Sequence, residues 1–143
     1  MKNNKGFTLV ELLATLVVLG IIMAIAVPNV VSVVQKNRQK NLIEDGKKMI
    51  SLAQYYVSKN NSSSGTFTLK QIDLSEDLTD GPNGGKYDRE KSYVQYNSTS
   101  AEYTVYLYEY DNTTCQSAIP GLTESQLYDD TANVIKKLSN TCS

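Results

Sequence analysis

The sequence predicts an α+β fold: a long N-terminal α-helix packed on a small antiparallel β-sheet head, with a C-terminal helix. Three observations carry this expectation. From Leu9 to Val34 the chain is almost wholly apolar, and Glu11 is its only charge. From Leu42 onward, apolar residues recur at three- and four-residue intervals, the spacing of one helical face. Further on, two runs rich in Tyr and Val flank a short turn, the pattern of an antiparallel strand pair.

Taken in order, residues 1–6 read as a leader, residues 7–34 as an apolar helix and residues 35–58 as its amphipathic continuation. Residues 59–143 then form the head. About 20 apolar residues cross a hydrocarbon layer, and Leu9–Val34 exceeds that. In the continuation, Leu42, Ile43, Gly46, Met49, Ile50, Ala53, Tyr56 and Val57 share a face, while Lys36, Arg38, Lys40, Glu44, Asp45, Lys47 and Lys48 fall mostly off it. A helix from Phe7 to Ser58 would be roughly 78 Å long. Pro28 lies inside it, removes a hydrogen bond and should kink or loosen the rod; Gly20 lies eight residues earlier.

The head begins with a loop at Asn60–Gly65. Thr68-Leu69-Lys70-Gln71 has the form of a capping box opening a short helix to Ile72. Asp80-Gly81-Pro82-Asn83-Gly84-Gly85 is a turn cluster. Ser92–Asn97 and Glu102–Tyr110 read as strands joined at Ser98–Ala101, with a third short strand near Gln116–Ile119. Thr123-Glu124-Ser125-Gln126 is a second capping box, and Leu127, Thr131, Val134, Ile135 and Leu138 mark the inner face of the helix it opens.

The net charge of −1 hides an asymmetry. Residues 35–60 carry six basic against two acidic side chains, whereas residues 61–143 carry six basic against twelve acidic. The basic stem could orient subunits against one another or hold the stem near anionic lipid. An acidic head argues against a grip on nucleic-acid phosphates. There is no His, so most acid–base schemes lose their usual residue. No catalytic triad or hydrolase metal site is visible, and no cofactor is implied. The expectation is a protein that is not an enzyme.

Glu11 is the sharpest site. A carboxylate in a membrane-length segment is costly and by default has a partner. A cut between Gly6 and Phe7 would create an amine four residues before it. Lys5-Gly6-Phe7-Thr8-Leu9-Val10-Glu11, followed by the apolar helix, resembles the class III signal of type IV prepilins and pseudopilins. The resemblance covers about residues 1–34 strongly and the rest in layout only. It implies that a prepilin peptidase cuts after Gly6 and methylates the amine of Phe7. It also implies that Glu11 pairs with the Phe7 amine of a neighbouring subunit. In assembled filaments of the family the helix is often unwound between such a glycine and proline as Gly20 and Pro28, and a simple curve in a membrane helix is the alternative. A membrane platform protein and an assembly ATPase would drive assembly with other pilins. The bland alternative for Glu11 is an acid favoured by the helix dipole.

In that topology Cys115 and Cys142 lie outside the cytoplasm and read as a disulfide closing a 27-residue separation, worth roughly 3.5 kcal/mol in the loop-entropy model. Two free thiols are the alternative. Two cysteines without histidine argue against zinc. Asp77, Asp80, Asn83 and Asp88 could surround calcium, but their spacing does not match an EF-hand, and a plain turn is the favoured reading. Tyr106, Tyr108 and Tyr110 should share one strand face, and Tyr103, Val105 and Leu107 the other. One face packs on the helix, and the other could serve adhesion or subunit contact, with ordinary strand composition the favoured reading. Asn61, Asn97 and Asn112 begin N-x-Ser/Thr triplets, which carry little weight in so polar a chain.

The sequence thus points to a structural subunit of a type IV pilus acting in surface adhesion or motility. It would sit in the cytoplasmic membrane as a precursor and then on the cell surface as an extracellular filament. A pseudopilin of a competence or type II secretion system is the alternative. A secreted domain with an ordinary signal peptide cut after Ala24-Ile25-Ala26, or a plain single-pass anchor, comes next.

Overall fold

The computed structural model describes residues 7–111 and 114–129. Its elements are α1 (Leu9–Asn60), β1 (Gly65–Thr68), α2 (Leu69–Ile72), β2 (Lys86–Tyr87), β3 (Tyr93–Asn97), β4 (Glu102–Asp111), β5 (Thr114–Thr123) and α3 (Glu124–Tyr128). This is the expected α+β arrangement, a long helix followed by an antiparallel sheet and a short helix. The chain divides into two compact units, Met1–Asn37 and Arg38–Ser143.

α1 outlasts the expected end at Ser58 by two residues. Asn61 adopts a left-handed conformation (φ 50°), which Asn tolerates better than most residues. The Ser62 N–H then donates to the Val57 carbonyl at 3.1 Å, the outer bond of a Schellman closure. Within the second unit α1 buries Leu42, Ile43, Gly46, Met49, Ile50 and Ala53, most of the face anticipated from the spacing. At Gly46 the helix comes close to its neighbours. A Cβ there would lie 2.8 Å from Ile119 Cδ1 and 3.3 Å from a Leu127 methyl.

β4 is the spine of the sheet. β5 runs antiparallel along it from Thr104↔Thr123 to Asp111↔Thr114. β3 pairs with its first half, Tyr93↔Tyr106 to Asn97↔Glu102, and β2 with its far end, Lys86↔Tyr110 and Tyr87↔Glu109. Between them the Ser92 hydroxyl accepts from the Tyr108 N–H at 3.0 Å, and the Asp88 N–H donates to the Tyr108 carbonyl. These bonds carry that edge of β4 across the gap between β2 and β3. β1 pairs with the outer edge of β3, Gly65↔Tyr96 to Thr68↔Tyr93.

Three features differ from expectation. β1 forms where a loop leading into a capping box was expected, because Thr66 and Phe67 supply β-formers opposite β3. The two-residue β2 has no sequence signal of its own. β5 is longer than Gln116–Ile119: a register shift between Val105/Tyr106 absorbs Gly121, next to Pro120, and one between Glu109/Tyr110 absorbs Gln116, so the pairing continues past both. Both capping boxes form. The Thr68 N–H donates to Gln71 Oε1 at 2.9 Å, and the Thr123 N–H to Gln126 Oε1 at 3.2 Å. α3 is described only to Tyr128, so Thr131, Val134, Ile135 and Leu138 lie outside the described residues.

The core is made of the α1 face, Leu69 and Ile72 of α2, Leu78, Tyr87, Val94, Tyr103, Val105, Leu107, Ile119, Leu122 and Leu127. β4 alternates as predicted: Tyr103, Val105 and Leu107 point inward, while Tyr106, Tyr108 and Tyr110 stay half-buried on the other face.

Candidate functional site

The N-terminal segment is built around a cap. Thr8 precedes the first turn of α1, and its N–H and hydroxyl both donate to Glu11 Oε2 at 2.9 Å. The Glu11 N–H returns a bond to Thr8 Oγ1 at 3.3 Å. This is a reciprocal capping box, and it occupies the one charge of the apolar run. The Thr-x-x-Glu spacing that encodes it sits inside the processing motif, where the sequence is read for cleavage, assembly and the helix dipole but not for a cap. Phe7 is 89% exposed. Gly6 lies outside the described residues.

Every described side chain from Leu9 to Val34 is exposed, and α1 is long and apolar enough to cross a membrane. Its few polar groups turn back on the backbone. The Thr15 hydroxyl donates to the Leu12 carbonyl at 2.8 Å, Asn29 Nδ2 to the Ile25 carbonyl at 3.2 Å, and the Ser32 hydroxyl to the Asn29 carbonyl at 2.8 Å. In hydrocarbon an unsatisfied polar group costs several kcal/mol, so this folding-back suits the helix to lipid. α1 runs unbroken through Gly20 and Pro28, and nothing lies within 4 Å of a Cβ built at Gly20.

The head holds polar groups that the sequence did not flag. Asp73 is fully buried. It accepts from the Leu78 N–H at 2.9 Å, the Asp77 N–H at 3.1 Å and Arg89 Nη1 at 2.9 Å. Burial pushes its carboxyl up, but these donors outweigh burial and hold it below the usual carboxylate range. Glu109, also fully buried, is wrapped by the Gly81–Gly85 turn and accepts from the Asn83 and Gly85 N–H groups at 3.0 Å and from Asn83 Nδ2 at 2.9 Å. A Cβ at Gly81 would collide with the Glu109 carboxylate, and one at Gly85 with the Tyr110 carbonyl. The glycine cluster is therefore required by a buried acid as well as by a turn. Asp45 of α1 accepts from the Tyr87 hydroxyl at 2.7 Å. Burial raises the Asp45 carboxyl, and burial together with Asp45 raises the Tyr87 phenol.

The residues considered for calcium are engaged otherwise: Asn83 on Glu109, Asp88 Oδ1 by the Glu90 and Lys91 N–H groups, and Asp77 Oδ2 by the Ser75 hydroxyl. No group of three or more His, Cys, Asp or Glu is placed to hold a metal among the described residues. Cys115 stands opposite Tyr110 in β5, but Cys142 lies outside the described residues, as does Asn112. On the outward face, Tyr93 and Tyr106 stack with centroids 4.5 Å apart, and Lys91 Nζ sits 5.3 Å from the Tyr110 ring.

A capped helix with an exposed apolar run, starting directly after Phe7, fits a precursor of the prepilin type. Residues 1–27 match the family model described as the prokaryotic N-terminal methylation motif, and the chain carries the class III signal of type IV pilins and pseudopilins. Comparison with curated proteins and comparison with solved structures each gave no match. The motif implies processing by prepilin peptidase and assembly with other pilins, and together with the apolar helix it fits an inner-membrane precursor.

Proposed function

We propose that the chain is a structural subunit of a type IV pilus. Prepilin peptidase cuts it between Gly6 and Phe7 and methylates Phe7, and the mature subunit then assembles into a helical filament on the cell surface. The observation that carries this reading is the Gly6-Phe7 to Glu11 motif leading directly into an apolar run, Leu9 to Val34, whose described side chains are all exposed. Such a surface needs either lipid or sister helices. In the membrane the Glu11 carboxylate is satisfied by Thr8. In the filament it exchanges part of that bonding for the amine of a neighbour's Phe7, and methylation leaves the charge of that amine intact. The role is structural rather than enzymatic, and the outward tyrosine face of the head serves adhesion or subunit contact.

Mass spectrometry of the mature N-terminus from a sheared surface fraction tests this. N-methylated Phe7 is expected. A mature chain starting at Val27 would sink the proposal in favour of a secreted domain. A Glu11→Ala variant should be processed yet be missing from the sheared fraction. Equal yields of variant and wild type would mean that the chain does not assemble through this residue.

A further inference from the structure

Between the apolar run and the amphipathic face lies a stretch of α1 that belongs to neither. Gln35, Lys36, Asn37, Arg38, Gln39, Lys40 and Asn41 are all polar, and they carry three cations and no acid. A helix that is polar all round has no core-facing side. Lys36, Arg38 and Lys40 are exposed, and none joins an ion pair among the described residues. The next basic residue, Lys47, is instead paired with Glu44 at 2.8 Å.

At about 100° per residue, Arg38 projects from nearly the opposite side of the helix to Lys36 and Lys40. A single protein partner approaching from one side would meet only part of this set, whereas a lipid annulus surrounds the helix. Depth agrees. The apolar run spans roughly 39 Å against about 30 Å of hydrocarbon. Whether it tilts or leaves its last turn in the interface, Lys36 to Lys40 fall about 3–9 Å beyond Val34, in the headgroup layer.

We propose that Lys36, Arg38 and Lys40 form a basic collar that binds anionic phospholipid headgroups on the outer face of the membrane while the subunit awaits assembly. The proposal rests on the membrane-held precursor described above. The collar sets the depth of the helix, adds a salt-sensitive hold to its hydrophobic anchoring, and must release its lipids when the subunit leaves for a filament.

The test uses the full chain in phosphatidylcholine vesicles with trace spin-labelled phosphatidylglycerol or phosphatidylcholine, reading the motionally restricted fraction of each lipid. Wild type should prefer phosphatidylglycerol by about threefold at low salt, and 0.5 M salt should erase most of that preference. The triple variant Lys36→Gln, Arg38→Gln, Lys40→Gln should lose at least about half of the preference, Lys2 and Lys5 at the other end retaining the remainder. Lys36→Arg with Lys40→Arg should keep it, and so should Lys47→Gln with Lys48→Gln. The collar is overturned if the triple variant keeps the wild-type preference. It is also overturned if the Lys47/Lys48 variant loses as much, or if the triple variant keeps its lipid preference but loses cross-links to the acidic head of a second copy. Release of the chain by alkaline carbonate would sink the membrane reading itself, whereas insertion with unchanged lipid preference sinks only the collar.

Discussion

Asp45, half-buried, and Asp73, fully buried, show how two carboxylates in one small head respond oppositely to pH. Asp45 is raised, chiefly by burial, so the folded state holds its proton more tightly than the unfolded chain does. Its contribution to stability is therefore fully present below the ordinary carboxylate range and is lost as pH rises through its raised value. Asp45→Asn keeps an acceptor for Tyr87 and removes the half-buried charge, so it should match or exceed wild-type stability at pH 7, with the gain vanishing toward pH 4. Thermal melts across that range check this, and a variant less stable at pH 7 than at pH 4 relative to wild type would contradict it. Asp73 has the opposite sign. It is depressed, so its contribution is present above the ordinary carboxylate range and is lost as pH falls through its lowered value. Asp73→Asn strips Arg89 of its partner and should cost about 3 kcal/mol at neutral pH in denaturant unfolding. Neither role was legible in the sequence. Asp45 is held by Tyr87, forty-two residues on, and Asp73 in part by Arg89, sixteen residues on, contacts that only the folded head brings together. Glu11 was legible because its neighbours in the chain, not in space, define it.

Among the described residues, the faces of α1 and β4 written by periodicity were legible, whereas the short strands β1 and β2 created by pairing were not. The α1 face from Leu42 to Ala53 and the alternation along β4 follow from spacing alone. β1 and β2 exist because β3 and β4 offer them free edges, and that information lies in tertiary contacts. Helix α1 also carries a packing constraint visible only in three dimensions. Gly46→Val would drive a branched side chain into Ile119 and Leu127 and should destabilise the head by about 2 kcal/mol, measured by chemical denaturation. A neutral result would mean that the helix–sheet contact can spread at little cost. Upstream on the same element, replacing Gly6 by a bulky residue should leave the precursor uncut on an immunoblot. Normal processing of that variant would contradict a cut between Gly6 and Phe7.

At the scale of the molecule, the described core is made by residues from Leu42 onward, and none of it comes from the apolar run. Residues 38–143 expressed alone should therefore fold and sediment as a soluble monomer, whereas the mature chain from Phe7 should require detergent or lipid. A fragment that aggregates or lacks a cooperative transition would show that the head depends on the N-terminal unit. The stacked tyrosines make such work easier. The chain has ten Tyr and no Trp, and Tyr93–Tyr106 and Tyr96–Tyr103 each stack with centroids 4.5 Å apart at 20°. Transition dipoles that close couple, so the near-ultraviolet dichroism should be dominated by two ring pairs that bridge β3 and β4. The 52-residue α1 governs the far-ultraviolet signal. The protein thus has two spectroscopically separate readouts, one for its rod and one for its sheet, and the order in which they change on heating or on leaving lipid can be followed without a label.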